Sequence, residues 1–200
     1  NYRAFCANGL FLRDGQRCMD CTTRGSSRAV IHGCYRNSRI KSIPIATQQR
    51  GSQSLTQLMN RCNRVLLPGE PMKETFRKLG VTNTQVLPHP VTAALVPTET
   101  SPRSNAWLFV GRLSPEKGLS DLLRLWPSSE ALVVIGDGPD RQQAESMALE
   151  RNLSVQFLGS QESNDVRSSM SSSLGLIFPS KALEGAPLVY GEAMQAGLPL

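Results

Sequence analysis

Residues 106–140 read AWLFVGRLSPEKGLSDLLRLWPSSEALVVIGDGPD, and the architecture follows from this stretch. Ala106 to Val110 and Ala131 to Ile135 are apolar runs of the length of buried strands, and Leu119 to Leu125 between them has the length and pattern of a helix. Two buried strands joined through a helix lie parallel, with a right-handed crossover. The alternation continues downstream with a helix at Pro139 to Arg151, a strand at Ser154 to Leu158 and a helix at Glu162 to Ser171. A strand at Leu174 to Phe178 and a helix at Pro187 to Ala196 complete it. The pattern predicts an α/β fold built on a parallel sheet.

Upstream, residues 97–105, PTETSPRSN, combine two prolines with short polar residues, the composition of an interdomain linker. The reading therefore divides the chain into the end of one domain, residues 1–96, and a second domain, residues 106–200. In the first, a helix is expected from Ser26, carrying Ala29, Val30, Ile31, Cys34 and Tyr35, and another over Ile45 to Asn60. Val65 to Leu67 and Gln85 to Leu87 read as strands around a helix at Glu70 to Leu79 that Gly80 closes. Residues 1–34 hold four cysteines, and up to about residue 25 they lack clean periodicity, so this part reads as a loop held by something other than an apolar core.

The chain carries 22 Lys and Arg against 16 Asp and Glu, with much of the excess before residue 80, which favours anionic partners. Nucleic acid is disfavoured, since aromatic residues make up 6% and never interleave with basic ones as a stacking platform requires. No apolar run is long enough to cross a membrane. A chain that begins at Asn1 without an initiator methionine or a signal peptide reads as a fragment.

Ligands of a parallel sheet bind beyond the carboxyl ends of its strands. After the first strand come Gly111, Arg112, Leu113, Ser114, Pro115, Glu116, Lys117 and Gly118, placing two cations five positions apart on one loop. Such a loop suits a diphosphate, with Gly111 admitting the backbone and Arg112 able to bind two oxygens, or it is a turn with two solvated cations. Gly136 and Gly138 after the second strand give tight backbone geometry. Leu158, ending the third, matters if a nucleotide base lies against it. After the fourth, Glu184, Gly185, Ala186, Pro187, Leu188 and Glu192 combine two carboxylates with backbone amides around a helix start, where a phosphate or sugar oxygen can be held. The plainer reading makes both glutamates surface charges.

With these motifs, N-Y-R and C-x-x-C near the start, V-G-R-L-S-P-E-K-G, I-G-D-G-P, F-L-G and E-G-A-P-L-V-Y-G-E-A-M-Q-A-G-L-P, the chain resembles glycosyltransferase family 4 along almost its whole length. The resemblance implies two Rossmann-like domains of the GT-B type, both incomplete here, and transfer of a sugar from a nucleotide-diphosphate sugar with retention. The acceptor would be a saccharide or a lipid-linked one. It also implies that Arg112 and Lys117 neutralise the leaving diphosphate and that Glu184 contacts hydroxyls of the donor sugar. Glu192 would bind the ribose, and amides of Gly185 to Leu188 the sugar and phosphate. No metal cofactor is required for that chemistry. Relatives usually carry a histidine just before N-Y-R, so this stretch alone is expected to be inactive. A glycosidase-like use of Glu184 and Glu192 leaves the two cations without a purpose. An epimerase or phosphorylase-like enzyme on the same fold, or a non-catalytic nucleotide or zinc-binding module, are the other readings. The implied location is cytoplasmic, with the basic amino-terminal segment facing the acceptor or acidic lipid at the inner membrane face.

Cys6, Cys18, Cys21 and Cys34, spaced C-x11-C-x2-C-x12-C, allow a structural four-thiolate zinc site or free thiols. Cys62 reads as a core residue, and His32 and His89 as structural.

Overall fold

The computed structural model describes residues 2–50, 52–90 and 104–200, so the greater part of the expected linker, 97–103, lies outside the described residues. The chain forms two compact units, residues 1–89 with 181–186 and residues 90–180 with 187–200.

In the first unit, β1 (Leu12–Arg13) and β2 (Gln16–Arg17) form a two-residue antiparallel ladder. The short helices α1 (Asp20–Thr23) and α2 (Ser27–Ile31) follow, then α3 (Arg39–Arg50) and α4 (Ser52–Arg61). The helix expected over residues 45–60 starts earlier, at Arg39, and holds Pro44, which has no N–H to donate to it. β3 (Val65–Leu67), α5 (Glu70–Lys78) and β4 (Thr84–Val86) form a β-α-β unit with parallel strands. Met72 and Phe76, four residues apart on α5, face inward onto Tyr2, Phe5, Phe11, Leu67 and Val81. The rings of Tyr2 and Phe11 lie 5.1 Å apart, and Phe5 meets Phe76 edge-on at 5.3 Å. Segment 181–186 joins this core through Leu183, whose N–H donates to Leu10 O at 3.4 Å. A smaller cluster of Ala7, Ala29 and Ala46 packs against Cys21 and Cys34.

The second unit repeats strand and helix: β5 (Ala106–Val110), α6 (Leu119–Leu125), β6 (Ala131–Ile135), α7 (Arg141–Glu150), β7 (Val155–Gly159), α8 (Ser163–Ser172) and α9 (Leu188–Gln195). The sheet is parallel in the order β5-β6-β7, with Ala106 opposite Ala131 and Leu132 opposite Val155. Alternation along the strands sends neighbours to opposite faces. Phe109 and Val134 pack with Leu119 and Leu123 of α6 and Ala144 of α7, while Leu108 and Ile135 pack with Met170 of α8 and Ala193 of α9. Helices therefore cover both faces, as a parallel sheet demands.

One expected strand shrinks. Residues 174–178 pair with β5 only through a bridge between Leu176 and Leu108, held by Leu108 N–H to Gly175 O and Ile177 N–H to Leu108 O. Phe178, which would extend the ladder, instead packs edge-on against Tyr190 at 4.7 Å. Both tryptophans lie in this unit and meet at Glu130: Trp107 Nε1–H donates to its carboxylate at 3.1 Å and Trp126 Nε1–H to its carbonyl at 3.0 Å. No helix among the described residues is long and apolar enough to cross a membrane.

Candidate functional site

The carboxyl ends of β5, β6 and β7 run into loops joined backbone to backbone. Gly111 N–H donates to Ile135 O at 3.0 Å, Leu113 N–H to Asp137 O at 2.9 Å, Asp140 N–H to Leu113 O at 3.0 Å and Gly136 N–H to Gly159 O at 2.7 Å. Such contact leaves no room for side chains. A β-carbon on Gly136, whose φ is +133°, would collide with the carbonyl oxygen of Gly111, and one on Gly138 with that of Leu113. These two glycines therefore have a structural reason to be present besides the ligand-facing one expected from the sequence.

Arg112 is exposed at the mouth of this loop pair, while Leu113 and Ser114 behind it are buried. The Ser114 hydroxyl donates to Glu116 Oε1 at 2.7 Å, and the Ser180 hydroxyl reaches Glu116 O at 3.3 Å, tying the first loop to the segment after the bridge. Residues 115–117 form a single 3-10 turn that ends in Gly118 at φ +76°, which starts α6. This turn sets the Lys117 ammonium over the Phe178 ring, 5.4 Å from its centroid. Phe178 in turn packs on Tyr190 of α9, the helix that carries Glu192. The aromatic face attracts the cation and fixes its position. Phe178 and Tyr190 were not singled out from the sequence as site residues; an aromatic at the end of an apolar run reads as core.

α9 begins at Leu188 with Pro187 as its cap residue, and the first amide bonded inward is Tyr190 N–H, to Pro187 O. Gly111, Arg112, Lys117, Gly136, Gly138, Leu158, Pro187, Leu188 and Glu192 are thus all in the second unit, near or beyond strand ends or on α9 and its cap. Glu184, Gly185 and Ala186 belong to the first unit. There a β-carbon on Gly185 would press on Met72 Sδ at 3.1 Å, and Glu184 adds its charge to the burial that holds the Tyr2 hydroxyl above its ordinary range, partly offset by Thr75.

Beside the second loop, Asp137 accepts from Gly138 N–H at 2.7 Å and from Arg141 Nη1 at 3.1 Å, and both hold its carboxyl below the usual range. Arg141 also reaches Glu145 at 2.8 Å, so its charge is spent inside the protein.

The first unit holds a cavity of about 480 Å³ lined by Phe5, Cys21, Thr22, Gln49, Thr56, Gln57 and Leu79. Gln49 is buried; its Nε2 donates to Arg3 O at 2.8 Å, and its Oε1 has no hydrogen-bond partner among the described residues.

Cys6, Cys18, Cys21 and Cys34 are all free thiols. Burial, followed by the neighbouring Cys6, Cys34 and Cys18, pushes the Cys21 thiol up to about 11, and burial raises Cys34 as well. Among the described residues, no group of three or more His, Cys, Asp or Glu side chains stands ready to hold a metal ion. Cys62 is exposed, contrary to the core position expected: it follows the end of α4, where its thiol donates to Leu58 O at 3.5 Å instead of entering a core. His32 caps α2, with Nε2 3.9 Å from Asp20, and His89 is exposed.

The family model for glycosyl transferases group 1 matches residues 96–200, more than half of the chain and all of the strand-end loops described above. The chain belongs to this family. No curated protein sequence matches this family member. Solved structures do, among them the lipopolysaccharide outer core galactosyltransferase WaaB in its apo form, 26% identical with a TM-score of 0.56 over 69% of this chain and 42% of that one. WaaG, a glycosyltransferase involved in lipopolysaccharide biosynthesis, is 25% identical with a TM-score of 0.51 over 67% and 42%. Alr3699/HepE from Anabaena, in complex with UDP and glucose, shares the fold at 23% identity and a TM-score of 0.60 over 74% and 46%. The chain thus spans less than half the length of each of these three proteins.

Proposed function

We propose that the protein is a retaining glycosyltransferase of the family 4 type, moving a sugar from a nucleotide-diphosphate sugar to a saccharide or lipid-linked acceptor. The observation that carries the reading is the Lys117 ammonium held over Phe178, on the same strand-end loop as the exposed Arg112. As the glycosidic bond to the donor breaks, negative charge gathers on the departing diphosphate and positive charge on the sugar. Lys117, fixed beforehand over Phe178, stabilises the former together with the exposed Arg112 beside it, and the two supply the neutralisation for which a metal would otherwise be required. Glu192 on α9 is then the ribose ligand and Glu184 the carboxylate for donor-sugar hydroxyls. Gly111, Gly136, Gly138 and the amides of Gly185, Ala186 and Leu188 let the donor approach the backbone, with Pro187 capping the helix and Leu158 lying toward the base.

A saccharide acceptor is supported by the first unit's cavity, whose threonine and glutamine groups and one aromatic wall suit a polyhydroxylated ligand. The reading includes a cytoplasmic location, with the basic amino-terminal segment turned to the acceptor or to acidic lipid.

Calorimetric titration with UDP-, GDP- and ADP-sugars tests it. One nucleotide class is expected to bind, and Arg112→Ala and Lys117→Ala are each expected to weaken it about tenfold or more, the loss of a charge-assisted hydrogen bond worth about 1.5 to 3 kcal/mol. Glu192→Ala should weaken nucleoside diphosphate and nucleotide sugar alike. Affinity unchanged in an Arg112→Ala, Lys117→Ala double variant would remove the basis of the reading.

A further inference from the structure

The four amino-terminal cysteines take no part in the sugar-transfer chemistry proposed above, yet they share one segment and one neighbourhood. Cys21 lies within electrostatic reach of Cys6, Cys18 and Cys34, and Cys34 within reach of Cys6 and Cys18. Cys21 and Cys34 pack on the same alanine cluster, which includes Ala7, next to Cys6. Cys18 N–H donates to Phe11 O at 2.8 Å, which brings the end of β2 back to the segment that carries Cys6.

Phe11, Leu12 and Ala29 are buried, but none of residues 13–25 between them is, so that stretch is poorly held by anything else. Its two strands have two residues each, and α1 buries no side chain. The segment's backbone carries some strain as well: Phe11 has φ +49°, in the left-handed region that a bulky side chain avoids, while Asp14 at φ +50° belongs to a residue type that tolerates it. Short elements without a core are stabilised in small proteins by covalent or metal staples.

We propose that Cys6, Cys18, Cys21 and Cys34 bind one zinc ion as a closed structural tetrathiolate site that clamps residues 6–34. Four soft sulfur donors, two of them in a C-x-x-C pair at the start of a helix, match a tetrahedral zinc site without an open position. Each thiol gives up its proton as it ligates, so a dipositive ion with four thiolates carries a net charge of minus two. The Arg13 guanidinium lies within electrostatic reach of both Cys18 and Cys34 and is steadied by Asp20 at 2.7 Å, placing positive charge where the site needs it. The thiols are not yet closed around a point. Binding has to draw them together, and Cys6 then exchanges its 3.0 Å bond to Asn8 for the ion.

The test uses the whole chain, purified under reducing conditions without chelator. Elemental analysis is expected to give one zinc per chain, and cobalt(II) added to the metal-free protein should produce the intense visible bands of a tetrahedral thiolate complex at one equivalent. Cys21→Ser and Cys18→Ser should each weaken cobalt binding by at least tenfold, and Cys62→Ser should leave it unchanged. If Cys21→Ser fails to fold, the cobalt titration of the unsubstituted chain still decides. A folded chain with four or more reactive thiols and no cobalt bands overturns the proposal, as does pairing of these cysteines into disulfides under the reducing conditions, or zinc retained in full by Cys21→Ser.

Discussion

The two units make their stability by different means. In the second, five-residue strands bury Leu108, Phe109, Leu132 and Val134 almost completely, and helices cover both sheet faces. In the first, strands run two or three residues, and four non-glycine residues hold left-handed backbone within the cysteine segment and just beyond it. A repeating apolar period lets burial select the fold; where the period is missing, short-range bonds and side-chain chemistry must do so.

The sharpest test of this contrast is one core truncation in each unit. Phe76→Ala should cost about 3 to 5 kcal/mol and Leu123→Ala about 2 to 5 kcal/mol, read as a lowered urea midpoint. A cost below about 1 kcal/mol for Phe76→Ala would mean that the ring cluster around α5 is not what holds the first unit. Glycine substitutions come next. Gly136→Ala meets both an unfavourable φ and the Gly111 carbonyl, and should lose about 2 kcal/mol or more. Gly15→Ala, at φ +75° in open space, should lose only about 1 to 2 kcal/mol. Equal losses would show that the strand-end loops yield more readily than their hydrogen bonds suggest.

The smallest expected effect is in acid. Asp137 is held low by Gly138 N–H and Arg141, and Asp20 by Arg13. A carboxyl depressed in the folded state adds stability above its unfolded pKa of about 3.9 and loses it as pH falls through the lower folded value. Asp137→Asn should therefore flatten the fall in stability below about pH 4 for the second unit, and Asp20→Asn for the first. Chemical denaturation at pH 3 and pH 7 reads the difference.

What could be read beforehand follows the same divide. β5, α6 and β6 fall on the residues expected, because their apolar runs are bounded by glycine and proline. Residues 174–178 carry an equally apolar run but give one bridge, since Phe178 is engaged by Tyr190, a partner twelve positions away that no local pattern announces. The exposure of Cys62 was illegible for a related reason: it depends on which side of a helix finds a core, and α4 has few apolar residues to say. Among site residues, Arg112 and Lys117 were visible as charges after a strand. The aromatic ring beneath Lys117 was not, and neither was the grouping of residues 181–186, Glu184 among them, with the first unit.

Trp107 and Trp126, the chain's two tryptophans, both anchor on Glu130 in the second unit, and the first unit has none. The protein therefore carries an optical label on one half only: its indole emission follows the sheet of the second unit, whereas the reactivity of its five thiols reports on the first, so a single sample can show whether the two halves melt together or in turn.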